Sequence, residues 1–354
     1  MYFLVLIVSL NEGPLVSMQS LILGLIGLIV LLIISSKLAR KFNLVDISNV
    51  DRKQHIGTIP LVGGIGLFIS FLYGAFVYGV SSFYLYLIAS LIPIMIVGII
   101  DSIHGVSVRP VYRIIAQMIS SWVIITTTDI YVRDLGDLFG FGEINIGTLG
   151  IPFTIFAVVG MCNAFNMLDG KDGLLGSVSA IIMFSLLSLL YLNGIIYQWG
   201  QIVVLSLLVY LAFNLNLFGQ KRKIFLGDHG STGLGHIIAW SLVYLSQQTE
   251  FITPISAIWF VVLPLTDAIL TFIRRSKSSR SIFEADRLHF HHKLSDIGLS
   301  DRLILLVISI ITLLACSFAV IANLFEFEEY LLLYTYITII FSLALLGFLT
   351  PKKS

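Results

Sequence analysis

Residues 83–100 read FYLYLIASLIPIMIVGII, an unbroken run without a charged side chain, and the run ends on Asp101. A bilayer core of ~30 Å is spanned by roughly 20 apolar residues in a helix, so this stretch reads as one membrane span. Runs of the same kind lie near 19–36, 61–79, 110–128, 147–165, 175–193, 197–217, 229–247, 254–273, 303–323 and 330–349. In lipid every backbone N–H and C=O must be paired within the segment, which makes each run a helix. The prediction is an all-α polytopic membrane protein with about eleven transmembrane helices.

Composition supports this reading. The chain has 354 residues, of which 57% are hydrophobic and 12% charged, about half the charge of a soluble protein. Mean hydropathy is +0.99. Neither a soluble domain nor an internal repeat stands out, so residues 1–354 form a single integral-membrane domain. Met1–Leu10 is apolar but lacks a basic n-region and a small-residue cleavage site, and reads as a peripheral or partly inserted lead rather than a cleaved signal. A net charge of +1 offers nucleic acid no attraction. Cys162 and Cys316 lie far apart in apolar runs and read as small core residues.

Lys and Arg near span ends are retained in the cytoplasm. With loops 37–60, 101–109, 166–174, 218–228 and 274–302 inside, every one of the 21 basic residues except Arg133 falls on that side. The N-terminus is then outside and the C-terminus cytoplasmic. All 7 histidines share the cytoplasmic half. Outer loops carry Glu12, Asp129, Asp134, Asp137, Glu143, Glu250, Glu326, Glu328 and Glu329 as solvated acids. The other acids sit largely at inner helix ends, where packing alone gives no reason for them.

Four polar constellations occupy that face. Asn163, Asn166 and Asp169 step by three at the end of the fifth run, which keeps them on one helix face. Gly170 and Gly173 then permit a turn around Asp172. Amides and carboxylates together suit a hard cation such as Mg²⁺; the plainer reading is a polar helix exit. In Phe225-Leu226-Gly227-Asp228-His229-Gly230-Ser231, two glycines flank an acid and Ser231 opens a helix. That pattern fits an anion with a metal beside it, or an ordinary cap. The 274–302 loop holds Asp286-Arg287-Leu288-His289-Phe290-His291-His292. Zinc could use its His and Asp residues, or Arg287 could grip a phosphate through both guanidinium arms. Asp101, facing the same side, suits a general base. Lys53 and His55, in the basic approach to Gly63 and Gly64, fit contact with phosphate or a nucleobase, or simple positive-inside charge.

Taken together, these motifs resemble the polyprenyl-phosphate N-acetylhexosamine-1-phosphate transferase superfamily (glycosyltransferase family 4), most of all the bacterial undecaprenyl-phosphate GlcNAc-1-phosphate transferases. The match runs from Pro60-Leu-Val-Gly-Gly64 to His292. Pro264-Leu-Thr-Asp267 and the Asp286–His292 loop resemble the hexosamine branch rather than the muramoyl-pentapeptide one. The resemblance implies an inner-membrane enzyme with UDP-N-acetylhexosamine and undecaprenyl phosphate as partners, room for a homodimer, and a Mg²⁺ or Mn²⁺ cofactor held by Asn166 and Asp228. It implies catalytic roles for Asp101, Asp169 and Asp172, with Asp101 at the lipid phosphate and Asp172 at the uracil. Asn163, Arg287, His289, His291 and His292 would bind substrate, beside Lys53 and His55. The family usually has Asp-Asp where this chain has Asp101-Ser102, which raises a non-catalytic homologue as an alternative. An ion-coupled secondary transporter is the other. It calls for acids near span centres, whereas among the motif acids only Asp267 lies within a run.

Overall fold

The computed structural model describes residues 18–47, 57–79, 81–277 and 289–349. Each apolar run carries a helix there: α1 (Met18–Lys41), α2 (Gly63–Tyr78), α3 (Ser82–Asp101), α4 (Pro110–Thr128), α5 (Gly150–Leu168), α6 (Leu174–Leu192), α7 (Gln198–Asn214), α8 (Asp228–Gln248), the pair α9 (Pro254–Phe260) and α10 (Val262–Lys277), α12 (Asp301–Leu324) and α13 (Glu329–Leu349). A short α11 (Phe290–Asp296) follows His289. Among the described residues five helices are long and apolar enough to cross a membrane, and six if the α9–α10 pair is one span. The shorter apolar helices run over Gly63–Val77, Trp199–Asn214 and Glu329–Leu345.

The molecule is apolar on the outside. Ile22, Leu23, Ile26, Val30 and Ile34 of α1, and Leu306, Ile310, Leu313 and Leu314 of α12, are exposed, while Ser90, Gln117, Ser120, Ser179 and His236 are buried. A water-soluble fold distributes these types the other way; a helical membrane protein does not need to.

At the centre stands α8, buried at every residue from His229 to Leu245. It packs on α2, α3, α5, α6 and α9. Lipid gives apolar helices no hydrophobic reason to associate, so close packing depends on small residues. Gly235 lies against the α5 backbone, where an added β-carbon would meet Cys162 Cα at 2.8 Å and Met161 O at 2.9 Å. Gly98 of α3 would likewise meet the backbone of His229 at 2.6 Å.

One expectation needs correction. The ninth run is not one straight helix, because α9 and α10 meet at 88°. Pro264 has no N–H to offer the carbonyl of Phe260 four residues back, and the Cys316 thiol donates to that oxygen instead, at 3.5 Å. The fold is mostly helical, as read from the sequence, with one small ribbon besides. Strand β1 (Val45–Ile47) pairs antiparallel with β2 (Thr58–Pro60), Asp46 opposite Ile59. Past α4, the 129–149 segment folds back through Leu135 N to Ile144 O and Ile146 N to Arg133 O, and Gln247 of α8 holds it from below.

Candidate active site

Strand β2 and the start of α2 build the floor of the site. Gly63 N donates to Phe225 O and Gly64 N to Leu226 O, at 2.9 and 3.1 Å. Gly64 sits directly on Gly230, so closely that a β-carbon would overlap its backbone. The glycines after Pro60 therefore seat the Phe225–Ser231 loop. Gly227 turns the chain at φ 73°, and Asp228 becomes the first residue of α8.

From the other side comes the exit of α5. Asn166 Oδ1 accepts from Ser231 Oγ at 2.7 Å, which joins the two motifs directly. Gly173, at φ 74°, donates its N–H to Asn214 Oδ1 at 2.5 Å. The same amide donates to Ile224 O at 2.9 Å, so Asn214 pins the 169–173 turn to the approach to Asp228. Asp172 reaches back to Lys223, whose side chain is 6% exposed against 43% for the carboxylate. Lys223 also lies over the Phe225 ring, 5.3 Å from its centre.

Asp101 arrives at the end of α3. Its Oδ1 accepts from Val108 N at 2.8 Å. Its Oδ2 lies 3.1 Å from Arg113 Nη1, and the same nitrogen stands 2.7 Å from Asp228 Oδ2. One guanidinium of α4 thus ties together two carboxylates that are far apart in sequence. Ser102 donates to Gly98 O at 2.7 Å and lies 3.4 Å from His229 Nδ1.

These groups face a cleft of about 1020 Å³ lined by Asp101, Ser102, Asn166, Asp169, Asp172, Lys223, Asp228 and His292, among others. Negative charge is crowded here. Burial pushes the Asp169 carboxyl up to about 7, with Asp228 and Asp172 adding to the effect. Asp228 is raised too, first by burial; the Arg113 guanidinium works against this and the Asp101 carboxylate with it.

The remaining residues singled out in the sequence are placed as follows. Asn163 is one turn deeper than the cleft, donating to Gln117 Oε1 at 2.9 Å and Val159 O at 2.7 Å. His292 lines the cleft. His291 is buried against Gly170, where a β-carbon would overlap its ring, and burial takes its imidazole down to about 3, with His292 and His289 contributing. His289 is buried beside Asp267. Lys53, His55, Asp286 and Arg287 lie outside the described residues. Sequence reading missed Arg113, Asn214 and Lys223 as site groups. The two cations stood among the positive-inside residues, and nothing local distinguishes them.

A divalent cation can be weighed against this donor set. Among the described residues no three His, Cys, Asp or Glu side chains form a ready-made metal cage, which leaves zinc without a full ligand set there. Mg²⁺ asks for less: one or two carboxylates, with waters and substrate phosphates completing its shell. The oxygens of Asn166 and Asp228 beside the raised Asp169 carboxyl fit that requirement.

Fold and site together define a mostly helical membrane protein with an acid-rich cleft, bridged by Arg113, at the ends of its central helices. The model of glycosyl transferase family 4 matches residues 84–246. Three relatives carry the name undecaprenyl-phosphate alpha-N-acetylglucosaminyl 1-phosphate transferase. Identity is 34% to that of Escherichia coli K12, over 84% of this chain and 81% of the relative. It is 33% to that of Salmonella typhi, over 84% and 82%, and 33% to that of Haemophilus influenzae, over 88% and 89%. The chain belongs to this glycosyl transferase family.

Proposed function

We propose that this protein transfers GlcNAc-1-phosphate from UDP-GlcNAc to undecaprenyl phosphate, releasing UMP, as the first step of a cell-surface polysaccharide such as an O-antigen. The observation that carries the reading is the bridge Asp101–Arg113–Asp228 at the mouth of a membrane bundle, beside Asn166 and Asp169. The relatives' names supply the lipid acceptor and the transferred GlcNAc-1-phosphate; the uridine nucleotide is what the family resemblance implies. A related UDP-N-acetylhexosamine would be accommodated by the same chemistry.

The reaction is an in-line displacement. An oxygen of the lipid phosphate attacks the β-phosphorus of the sugar nucleotide, the bond from that phosphorus to the bridging oxygen breaks, and UMP departs with the electron pair. Such transfers depend on positioning and charge neutralisation rather than covalent help. Asp101 is placed to orient the attacking phosphate and take any residual proton. Arg113 offsets charge where both phosphates meet. Lys223 and Asp172 form the wall on the nucleotide side, and His292 faces the donor. Mg²⁺ or Mn²⁺, held by Asn166 and Asp228, would neutralise the pyrophosphate.

We infer from about eleven apolar runs and from the bias of Lys and Arg to one side that the cleft faces the cytoplasm at the bacterial inner membrane, with the N-terminus outside and the C-terminus inside. A lipid substrate with an aqueous co-substrate explains why such a site stands at helix ends. The test is purified protein incubated with undecaprenyl phosphate and a panel of UDP-sugars. UMP release from UDP-GlcNAc that stops with chelator is the expected result; no release from any UDP-N-acetylhexosamine would remove the reading.

A further inference from the structure

Asp267 is a carboxylate with only 4% exposure, buried in an otherwise apolar stretch of α10. Both of its oxygens are engaged. Oδ2 lies 2.9 Å from His289 Nδ1, and Oδ1 accepts the backbone N–H of Phe290 at 2.9 Å. Phe290 begins α11, and His289 before it supplies no side-chain cap. A helix start wants an acceptor for its first free N–H groups, and here a carboxylate from another helix provides one. Thr271, one turn further along α10, faces the same imidazole, its Oγ1 3.5 Å from His289 Nδ1.

What this grip holds in place is a row of rings leading to the cleft. The planes of His289 and His291 are nearly parallel, 7° apart with centres at 6.0 Å, and His292 is centred 4.2 Å from His291. His291 presses on Gly170, in the turn between Asp169 and Asp172, and His292 reaches the cleft wall. Among the described residues neither ring nitrogen of His291 has a hydrogen-bond partner, so no polar contact there fixes its position. The geometry therefore points to Asp267 as a positioning residue: through His289 it docks the His289–His292 segment against the 169–172 turn and sets His292 in the cleft. This inference rests on the transferase reading for its kinetic consequence, but not for its structural one.

The experiment compares Asp267→Ala, Asp267→Asn, His289→Ala and the double variant Asp267→Ala/His289→Ala in detergent-purified full-length protein. In UMP release, each alanine variant is expected to lower kcat by about 30-fold while KM for UDP-GlcNAc moves less than about threefold, and the double variant to fall no further than the worse single. Asparagine keeps an acceptor for Phe290 N and should lie between wild type and alanine. Multiplying losses would show that the two residues act separately and overturn the inference, as would wild-type kcat in Asp267→Ala. A second readout does not need activity. In a Leu294→Cys background, where the half-buried side chain packs on the core, maleimide reactivity should rise at least tenfold with Asp267→Ala and equally with His289→Ala. Unchanged reactivity also overturns the docking role. Should the wild-type chain release no UMP, the transferase reading fails while the thiol measurement still decides Asp267.

Discussion

Arg113 Nη1 donates to Asp228 and is ion-paired with Asp101, so two carboxylates share a single positive charge where substrate phosphates would add more negative. Removing a group that acts electrostatically in the transition state typically costs ~10²-fold or more. Asp228→Asn is expected to lose that much in kcat at saturating Mg²⁺, measured by UMP release. At the neighbouring position the family's second acid is Ser102, whose hydroxyl is occupied with Gly98 O. A phosphate monoester has its second pKa near ~6, so the lipid phosphate is already largely dianionic at neutral pH and asks little of a base. Asp101→Asn should therefore fall by orders of magnitude and Ser102→Ala by less than about tenfold; the reverse pattern would exchange their roles. Asp169 sets a pH dependence. Its folded-state value is raised to about 7, above the ordinary carboxyl range, so its contribution to stability is present at low pH and lost as pH rises toward 7. A bound divalent cation favours the ionised form, and cation affinity should accordingly increase between pH 6 and 8. Mn²⁺ binding followed by electron paramagnetic resonance checks this, with Asp169→Asn flattening the profile.

Among the elements, α8 is held by contacts that only glycine allows. Gly64 on Gly230 and Gly98 on His229 bring backbone against backbone, and a backbone cannot rotate away as a side chain can. Overpacking in a core costs typically ~1–3 kcal/mol, and here the displaced part carries Asp228. Gly64→Ala is expected to lower the thermal midpoint and reduce turnover at least tenfold. Gly27 of α1, where an added β-carbon meets none of the described residues within 4 Å, is the control: alanine there should leave activity unchanged and the midpoint equal or higher, since helix interiors prefer alanine. The break between α9 and α10 belongs to the same scale. Pro264 removes one hydrogen bond, Cys316 takes up the freed carbonyl, and α10 can leave the direction of α9.

For the whole molecule, distribution of charge sets orientation. Thr58 and Gln220 are exposed near the cleft side, and Glu328 is exposed on the side of the 129–149 segment. Cysteines at Thr58 and Gln220 should be protected from an impermeant thiol reagent in intact cells, while one at Glu328 should react. Labelling at Gln220 and protection at Glu328 would invert the topology and move the cleft outside.

Sequence alone determined the helices, because a ~30 Å hydrocarbon core leaves an apolar run few alternatives, and it marked the polar groups at their ends, because nothing in lipid favours carboxylates such as Asp101, Asp169 and Asp228 there. Asn163, Asn166 and Asp169 were legible as one group since a helix repeats every three or four residues, and Asp172 through the glycine turn that follows; only the fold shows Asn163 one turn deeper, bonded to Gln117. What the sequence could not express is who stands opposite whom. Arg113 meets Asp228 across 115 positions, Ser231 meets Asn166 across 65, and Lys223 meets Asp172 across 51. The bend at Pro264 and the grip of Asp267 on His289 depend equally on how α10 packs. Local pattern reports periodicity within one element; pairing between elements is decided by close packing around α8, where a glycine without a β-carbon settles which backbones can touch.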